Sequence, residues 1–275
     1  MPPEWGGVVP TEAFLEQGRK IVEEATKANI PLRLIGGVAI RMHSNEHAEF
    51  AKRLGRLGTE QEYTDLDFMS YLKFRDNVRK FFESVGYRKR RTTLSSAATQ
   101  RQIYFHPDGW FYADVFFDKL LAANHPIDFR GRLDLDSPTI SLVDLLLEKL
   151  QIVSFSEKDL KDTLLLLRGH SLGEGQAPEA IDVRYLATLL AKDWGFWYTV
   201  TTNLKGLHKT ASEMKELNDA EKSDITSKIS KLLEVIENAP KTTGWKMRST
   251  IGAKKRWYEP VETSQTVGEF GIWRL

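Results

Sequence analysis

Thr64-Asp65-Leu66-Asp67-Phe68-Met69-Ser70-Tyr71 is bounded by polar segments and alternates in polarity at its start, the pattern of a β-strand. Alternation throws Leu66 and Phe68 to one face and both aspartates to the other, where they stand about 7 Å apart by strand rise. Two carboxylates on one open face can grip a hard cation. Outward from this strand, Leu32 to Ile35 reads as a short strand ending in Gly36-Gly37, with Val38 onward opening a helix. Bare backbone at a helix N-terminus can receive phosphate. Thr11 to about Ala28 has the period of an amphipathic helix, stopped by Asn29-Ile30-Pro31, and Asn77 to Val85 has that of another, ending at Gly86. Tyr87 to Thr93, Gln102 to His106 and Phe111 to Phe117 read as strands, the last two joined by the turn Pro107-Asp108-Gly109.

In Phe111-Tyr112-Ala113-Asp114-Val115-Phe116-Phe117 a single acid stands mid-strand among apolar residues. A carboxylate there costs several kcal/mol, of order 2 or more, unless it is paired, hydrogen-bonded or metal-bound. If the two strands are neighbours, Asp65, Asp67 and Asp114 converge as a ligand set for two Mg²⁺ ions, with Mn²⁺ as an alternative. Asp134-Leu135-Asp136 repeats the Asp-x-Asp form before Pro138 in a turn-like context and serves as an internal control; what distinguishes Asp65 and Asp67 is the strand-Gly36-Gly37-helix turn upstream.

Beyond Ser137-Pro138 helical periods take over at Leu142 to Ser154, Asp159 to Arg168, Ile181 to Lys192 and Asp219 to Glu237, and the last 35 residues lack a strong period. The expected class is α+β: residues 1–137 a mixed sheet with helices, and residues 138–275 a helical bundle with an irregular basic tail. With Leu142 at zero and 100° per residue, Leu145, Leu146, Leu150, Ile152 and Val153 fall between about 280° and 80°, and Lys149 falls near 340°. A lysine inside an apolar stripe calls for an anion, and a triphosphate would serve.

These residues resemble the nucleotidyltransferase superfamily, the DNA polymerase beta-like fold, through Leu34-Ile35-Gly36-Gly37, Thr64-Asp65-Leu66-Asp67-Phe68 and Ala113-Asp114-Val115. Asp144 to Leu150 and Glu157 to Asp162 look like helical motifs of the branch containing abortive-infection and toxin-antitoxin nucleotidyltransferase-like toxins. The resemblance implies Mg²⁺-dependent transfer of a nucleoside monophosphate from a nucleoside triphosphate to a hydroxyl of RNA, protein or a small molecule. It implies Asp65, Asp67 and Asp114 as metal-binding catalytic residues, Gly36, Gly37, Lys149 and Lys158 as nucleotide-binding residues, and a toxin-like role with a cognate partner protein. The alternative is a non-catalytic module on the same fold that binds nucleotide or a partner. Two departures mark this chain. Some 28 residues separate Gly37 from Asp65, so that the span must loop out or add a helix, and Gln61 stands four before Asp65, where many relatives of that branch carry a basic residue.

Composition sets the outer bounds. With 39 Lys+Arg against 38 Asp+Glu, no global field marks a nucleic-acid or membrane coat, so an electrostatic partner must be held by local patches. Two such patches are Arg88 to Arg91 and Lys241 to Arg256, the latter holding six Lys/Arg and no acid, with Trp245, Trp257 and Tyr258 interleaved or adjacent. Zero cysteines exclude disulfides, thiolate zinc sites and cysteine nucleophiles, and fit a reducing compartment. The apolar run from Leu142 to Val153 is broken by charges, and the amino-terminal residues lack a secretion-signal pattern, which makes a cytoplasmic, non-membrane protein the expectation. Trp194, Phe196, Trp197 and Tyr198 read as helix-packing core. His43 and His47, four apart, have a zinc-like spacing but no third ligand nearby in sequence, and read as surface histidines.

Overall fold

The alternation around Asp65 and Asp67 becomes the second strand of a five-stranded mixed sheet. The structure, a computed structural model, describes residues 1–56, 61–91, 100–121, 123–175, 179–260 and 273–274. It is a mixed α/β protein that divides into two compact units. One comprises Met1–Met42, Gly55–Ala122 and Pro126–Ser141; the other comprises His43–Leu54, Ala123–His125 and Leu142–Leu275.

In the first unit, α1 (Thr11–Lys27) leads to β1 (Leu32–Ile35), and α2 (Gly36–His43) follows without a linker. The 28-residue span before the next strand adds a helix, α3 (Ala48–Leu54), which belongs to the second unit. Then come β2 (Asp65–Ser70), α4 (Arg75–Ser84), β3 (Arg88–Lys89), β4 (Gln102–Phe105) and β5 (Tyr112–Phe117). The sheet order is β1-β2-β5-β4-β3, with β2 and β5 parallel and the other neighbours antiparallel. Of the strand expected at Tyr87 to Thr93, Arg88 and Lys89 form the short β3, Tyr87, Arg90 and Arg91 are not strand, and Thr92 and Thr93 lie outside the described residues.

The apolar face of this sheet carries Leu32, Leu34, Leu66, Phe68, Ala113, Val115 and Phe117, all buried. α1 lies close upon it because Gly18 has no side chain: a Cβ there would stand 2.9 Å from Leu34 Cδ1. α1 starts at Thr11 without a side-chain cap, and the Thr11 hydroxyl donates to Glu62. From α4, Phe82 stacks on Tyr104 with ring centroids 4.4 Å apart, and removing such a buried ring costs about 3–5 kcal/mol.

The second unit is mainly helical: α3, α5 (Leu142–Leu150), α6 (Glu157–Gly169), α7 (Val183–Leu190), α8 (Trp194–Glu213), α9 (Asp219–Asn238) and α10 (Thr243–Ile251). Side chains set many of the helix starts. Ser156, Asp182, Asp193 and Thr242 accept from first-turn backbone N–H groups, and Asn218 with Glu221 forms a capping box. α5 ends at Leu150, short of Ser154, because other partners take its departing backbone: Asn203 Nδ2 donates to the Leu150 and Ile152 carbonyls at 3.0 and 2.7 Å, and Val153 N–H donates to Asn124. α9 buries Ile225, Ile229, Leu232 and Ile236 at helical spacing, packing on α8, which buries Val200, Leu204, Leu207 and Ala211. Short strand pairs complete the chain: β6 (Lys119–Leu120) with β7 (Ile127–Asp128), β8 (Ser154–Phe155) with β11 (Trp273–Arg274), and β9 (Ser171–Gly173) parallel to β10 (Ala180–Asp182). No helix among the described residues is long and apolar enough to cross a membrane.

Candidate active site

Strand register, rather than side-chain reach, brings the acids together. β2 pairs with β5 so that Asp67 faces Asp114 across the parallel ladder, while Asp65 pairs with Tyr112 two residues earlier on the same face. One carboxylate oxygen from each of Asp65, Asp67 and Asp114 lies within 4.8 Å of the other two. On the opposite edge of β2, Asp67 pairs with Ile35, the last residue of β1. The bend at Gly36-Gly37 therefore leaves the sheet beside the central acid. Gly36 adopts φ 74°, a left-handed conformation that favours glycine. The control motif behaves differently: Asp134 and Asp136 lie in turns and bends, and the Asp134 side chain is 82% exposed.

Asp114 is 2% exposed, and burial pushes its carboxyl above the usual carboxylate range, opposed by the adjacent Arg101 guanidinium and reinforced by Asp65. Arg101 pairs with Oδ2 of Asp114. It stands just before β4, on the flank of Asp114 away from β2. The other oxygen, Oδ1, is buried and lacks a hydrogen-bond partner among the described residues. A buried carboxylate oxygen in that condition, with two more carboxylates at hand, is the hard, anionic donor set that suits Mg²⁺ or Mn²⁺.

A basic group that sequence reasoning missed stands at the glycine bend. Arg56 donates through Nη1 to the Glu62 carbonyl at 2.7 Å, and its guanidinium lies 4.7 Å from the centroid of the Tyr63 ring. It also covers Gly37: a Cβ at Gly37 would come within 2.9 Å of Arg56 Cζ. The only hint in the sequence was the basic end of α3, Lys52-Arg53-Leu54-Gly55-Arg56. Gln61, one of the two departures from the resembled branch, braces its loop, donating to the Tyr63 carbonyl at 2.7 Å and accepting from Val9 N–H.

Lys149 has a different anion from the one expected. Within the helical unit its ammonium lies 3.0 Å from Asp162 and 3.4 Å from Asp159, both on α6. That buried cluster accounts for a lysine in the apolar stripe without a nucleotide. Lys158 is half-buried in the first turn of α6. Trp194 and Phe196 are buried, and Trp194 stacks on Tyr198 with centroids 5.0 Å apart. In the basic tail, Arg248 lies over the Trp194 ring and its Nη groups donate to the Gly252 and Lys255 carbonyls, so this arginine is engaged in fold contacts.

The histidine reading requires correction. The His43 side chain is only 8% exposed, and it lies with His170 and Glu179, both far along the chain, in a group whose ligand-type atoms stand within 4.8 Å of one another. No protein-family model matches this chain, and neither does any curated protein.

Proposed function

We propose that this chain is a Mg²⁺-dependent nucleotidyltransferase of the polymerase beta-like type, in which the mixed sheet bears the active site and the helical unit follows it as an accessory domain. The observation that carries the reading is the register pairing of Asp67 with Asp114 beside the Gly36-Gly37 bend. Asp65, Asp67 and Asp114 would hold the metal. Magnesium, when bound, lowers the pKa of an acceptor hydroxyl and offsets charge on a departing pyrophosphate. The residues of the chain do the rest. Asp114, whose buried Oδ1 has no hydrogen-bond partner among the described residues, is placed to orient the acceptor hydroxyl or accept its proton. The bare backbone at Gly36-Gly37 lets an anion approach closely, and the Arg56 guanidinium over it supplies the compensating charge. The acceptor is a hydroxyl of RNA, protein or a small molecule, and a toxin-like role with a cognate partner belongs to the same proposal.

One observation favours a second reading, a non-catalytic module on the same fold: Arg101 already pairs with Oδ2 of Asp114. Incubating the protein with each α-labelled nucleoside triphosphate, Mg²⁺ and a cell extract separates the two. The enzyme transfers label and releases pyrophosphate, and Asp67→Asn abolishes transfer while leaving the far-UV circular dichroism unchanged. Nucleotide binding without pyrophosphate release selects the module, and full activity in Asp67→Asn rejects the active-site assignment.

A further inference from the structure

The helical unit gathers three metal-ligating side chains that are remote in sequence, and its topology explains how. β9 and β10 pair in parallel with Ser171 opposite Ala180. The residues immediately before them, His170 and Glu179, are therefore side by side. His170 also directly follows Gly169, the last residue of α6. Because Gly169 has no side chain, the segment after α2 can press against it: a Cβ there would stand 3.2 Å from Ser44 Oγ and 3.3 Å from His47 Cδ2. This brings His43 to the same spot.

The result is a convergence upon one oxygen. His43 Nδ1 lies 3.3 Å from Glu179 Oε2, and His170 Nδ1 lies 3.4 Å from it. Charge-assisted hydrogen bonds are shorter, about 2.7–2.9 Å. Donor atoms bound at about 2.0–2.1 Å around a tetrahedral zinc ion stand about 3.3 Å apart, which matches both separations. The buried Nε2 of His170 has no hydrogen-bond partner among the described residues. Two imidazoles and one carboxylate form a borderline donor set, distinct in kind from the all-oxygen cluster of the sheet.

We propose that His43, His170 and Glu179 form a binding site for a zinc-class divalent cation, with a fourth position filled by the neighbouring His47 or by water. The ion would tie together the last residue of α2, the residue after α6 and the residue before β10, a clamp spanning 136 residues of sequence between His43 and Glu179. The site is independent of the nucleotidyl-transfer reading.

The test uses the full-length protein stripped by a chelator and held in excess Mg²⁺ to occupy the aspartate cluster. Zn²⁺ titrated by calorimetry binds with one equivalent, and Co²⁺ in its place gives the intense visible bands of a tetrahedral centre. Loss of outer-shell partners alone weakens metal sites about 10–100-fold, so removing a direct ligand in Glu179→Ala or His43→Ala weakens binding by about 100-fold or more. Glu179 is 65% exposed, so Glu179→Ala keeps the fold, and circular dichroism checks this. His47→Ala distinguishes the fourth ligand: a fall in affinity identifies His47, and no change identifies water. The proposal is overturned if the protein takes up no stoichiometric Zn²⁺, if affinity in Glu179→Ala and His43→Ala equals that of the parent, or if uptake disappears in Asp65→Asn/Asp67→Asn instead.

Discussion

Replacing Lys149 by methionine separates a structural cation from a nucleotide ligand. The lysine, Asp159 and Asp162 are 8%, 10% and 2% exposed at their side chains, with ammonium-to-carboxylate distances of 3.4 and 3.0 Å. Lys149→Met keeps the stem's volume but leaves two acids three residues apart on α6 without this cation. Removing one partner of a buried ion pair costs about 3–5 kcal/mol. Asp159 also accepts from the Ser156 hydroxyl, which retains part of its solvation and points to the lower end, about 3 kcal/mol. For a unit of this size that lowers the melting temperature by roughly 6–12 °C. Urea denaturation followed by tryptophan fluorescence measures the loss, because Trp194 and Trp197 lie in the same unit. Asp162→Asn in the same chain recovers part of the stability. A loss below about 1 kcal/mol, together with a tenfold fall in nucleotide affinity, would refute the structural assignment and restore Lys149 to triphosphate binding.

Three further outcomes are expected. Arg101→Gln leaves the buried Asp114 without its counter-ion; because Arg101 is 35% exposed, the cost is discounted to roughly 1–3 kcal/mol, and millimolar Mg²⁺ offsets more of it than it adds to the parent, as thermal melts with and without the ion will show. Gly37→Ala keeps stability within about 1 kcal/mol, since the obstacle is the movable end of Arg56, yet displaces that guanidinium and weakens triphosphate binding about tenfold by calorimetry; unchanged affinity removes Arg56 from the site. Burial holds His125 down to about 4 while its Nε2 engages Thr199 at 2.8 Å, so the unfolded chain takes up this proton first as pH falls. The stability it contributes is complete above about pH 6.5 and is lost towards pH 4, about 3 kcal/mol in all, and His125→Asn flattens the acid limb of the stability profile by one proton.

Strand alternation and isolated acids made the sheet and its three aspartates legible, because Asp65, Asp67 and Asp114 interrupt apolar patterns that little else explains. The pairing of β2 with β5 was an inference conditional on neighbourhood, which local sequence does not encode. α8 went unread as a helix: Gly195, Gly206 and the threonines at 199, 201 and 202 depress local propensity, and the Asp193 cap with the Phe196, Val200, Leu204 and Leu207 stripe overrides them. Lys149 was correctly marked as an anion seeker, but its partners lie one helix further on. His170 and Glu179 gave no sign at all, since a parallel strand register, and nothing nearby in the chain, sets them side by side.

The excursion of residues 43–54 out of the sheet-bearing half has a practical consequence for anyone dissecting this protein. A recombinant piece beginning at Leu142 would be born without α3, whose Arg53 pairs with Glu221 and whose Phe50 and Leu54 are buried, and would bare the surface that α3 covers on α6. The complementary piece would carry α3 without the α6 surface on which it packs. Cut once before Leu142, the carboxy-terminal piece lacks residues 43–54 and 123–125 of its own unit, and restoring both segments through flexible tethers is the way to keep that unit whole.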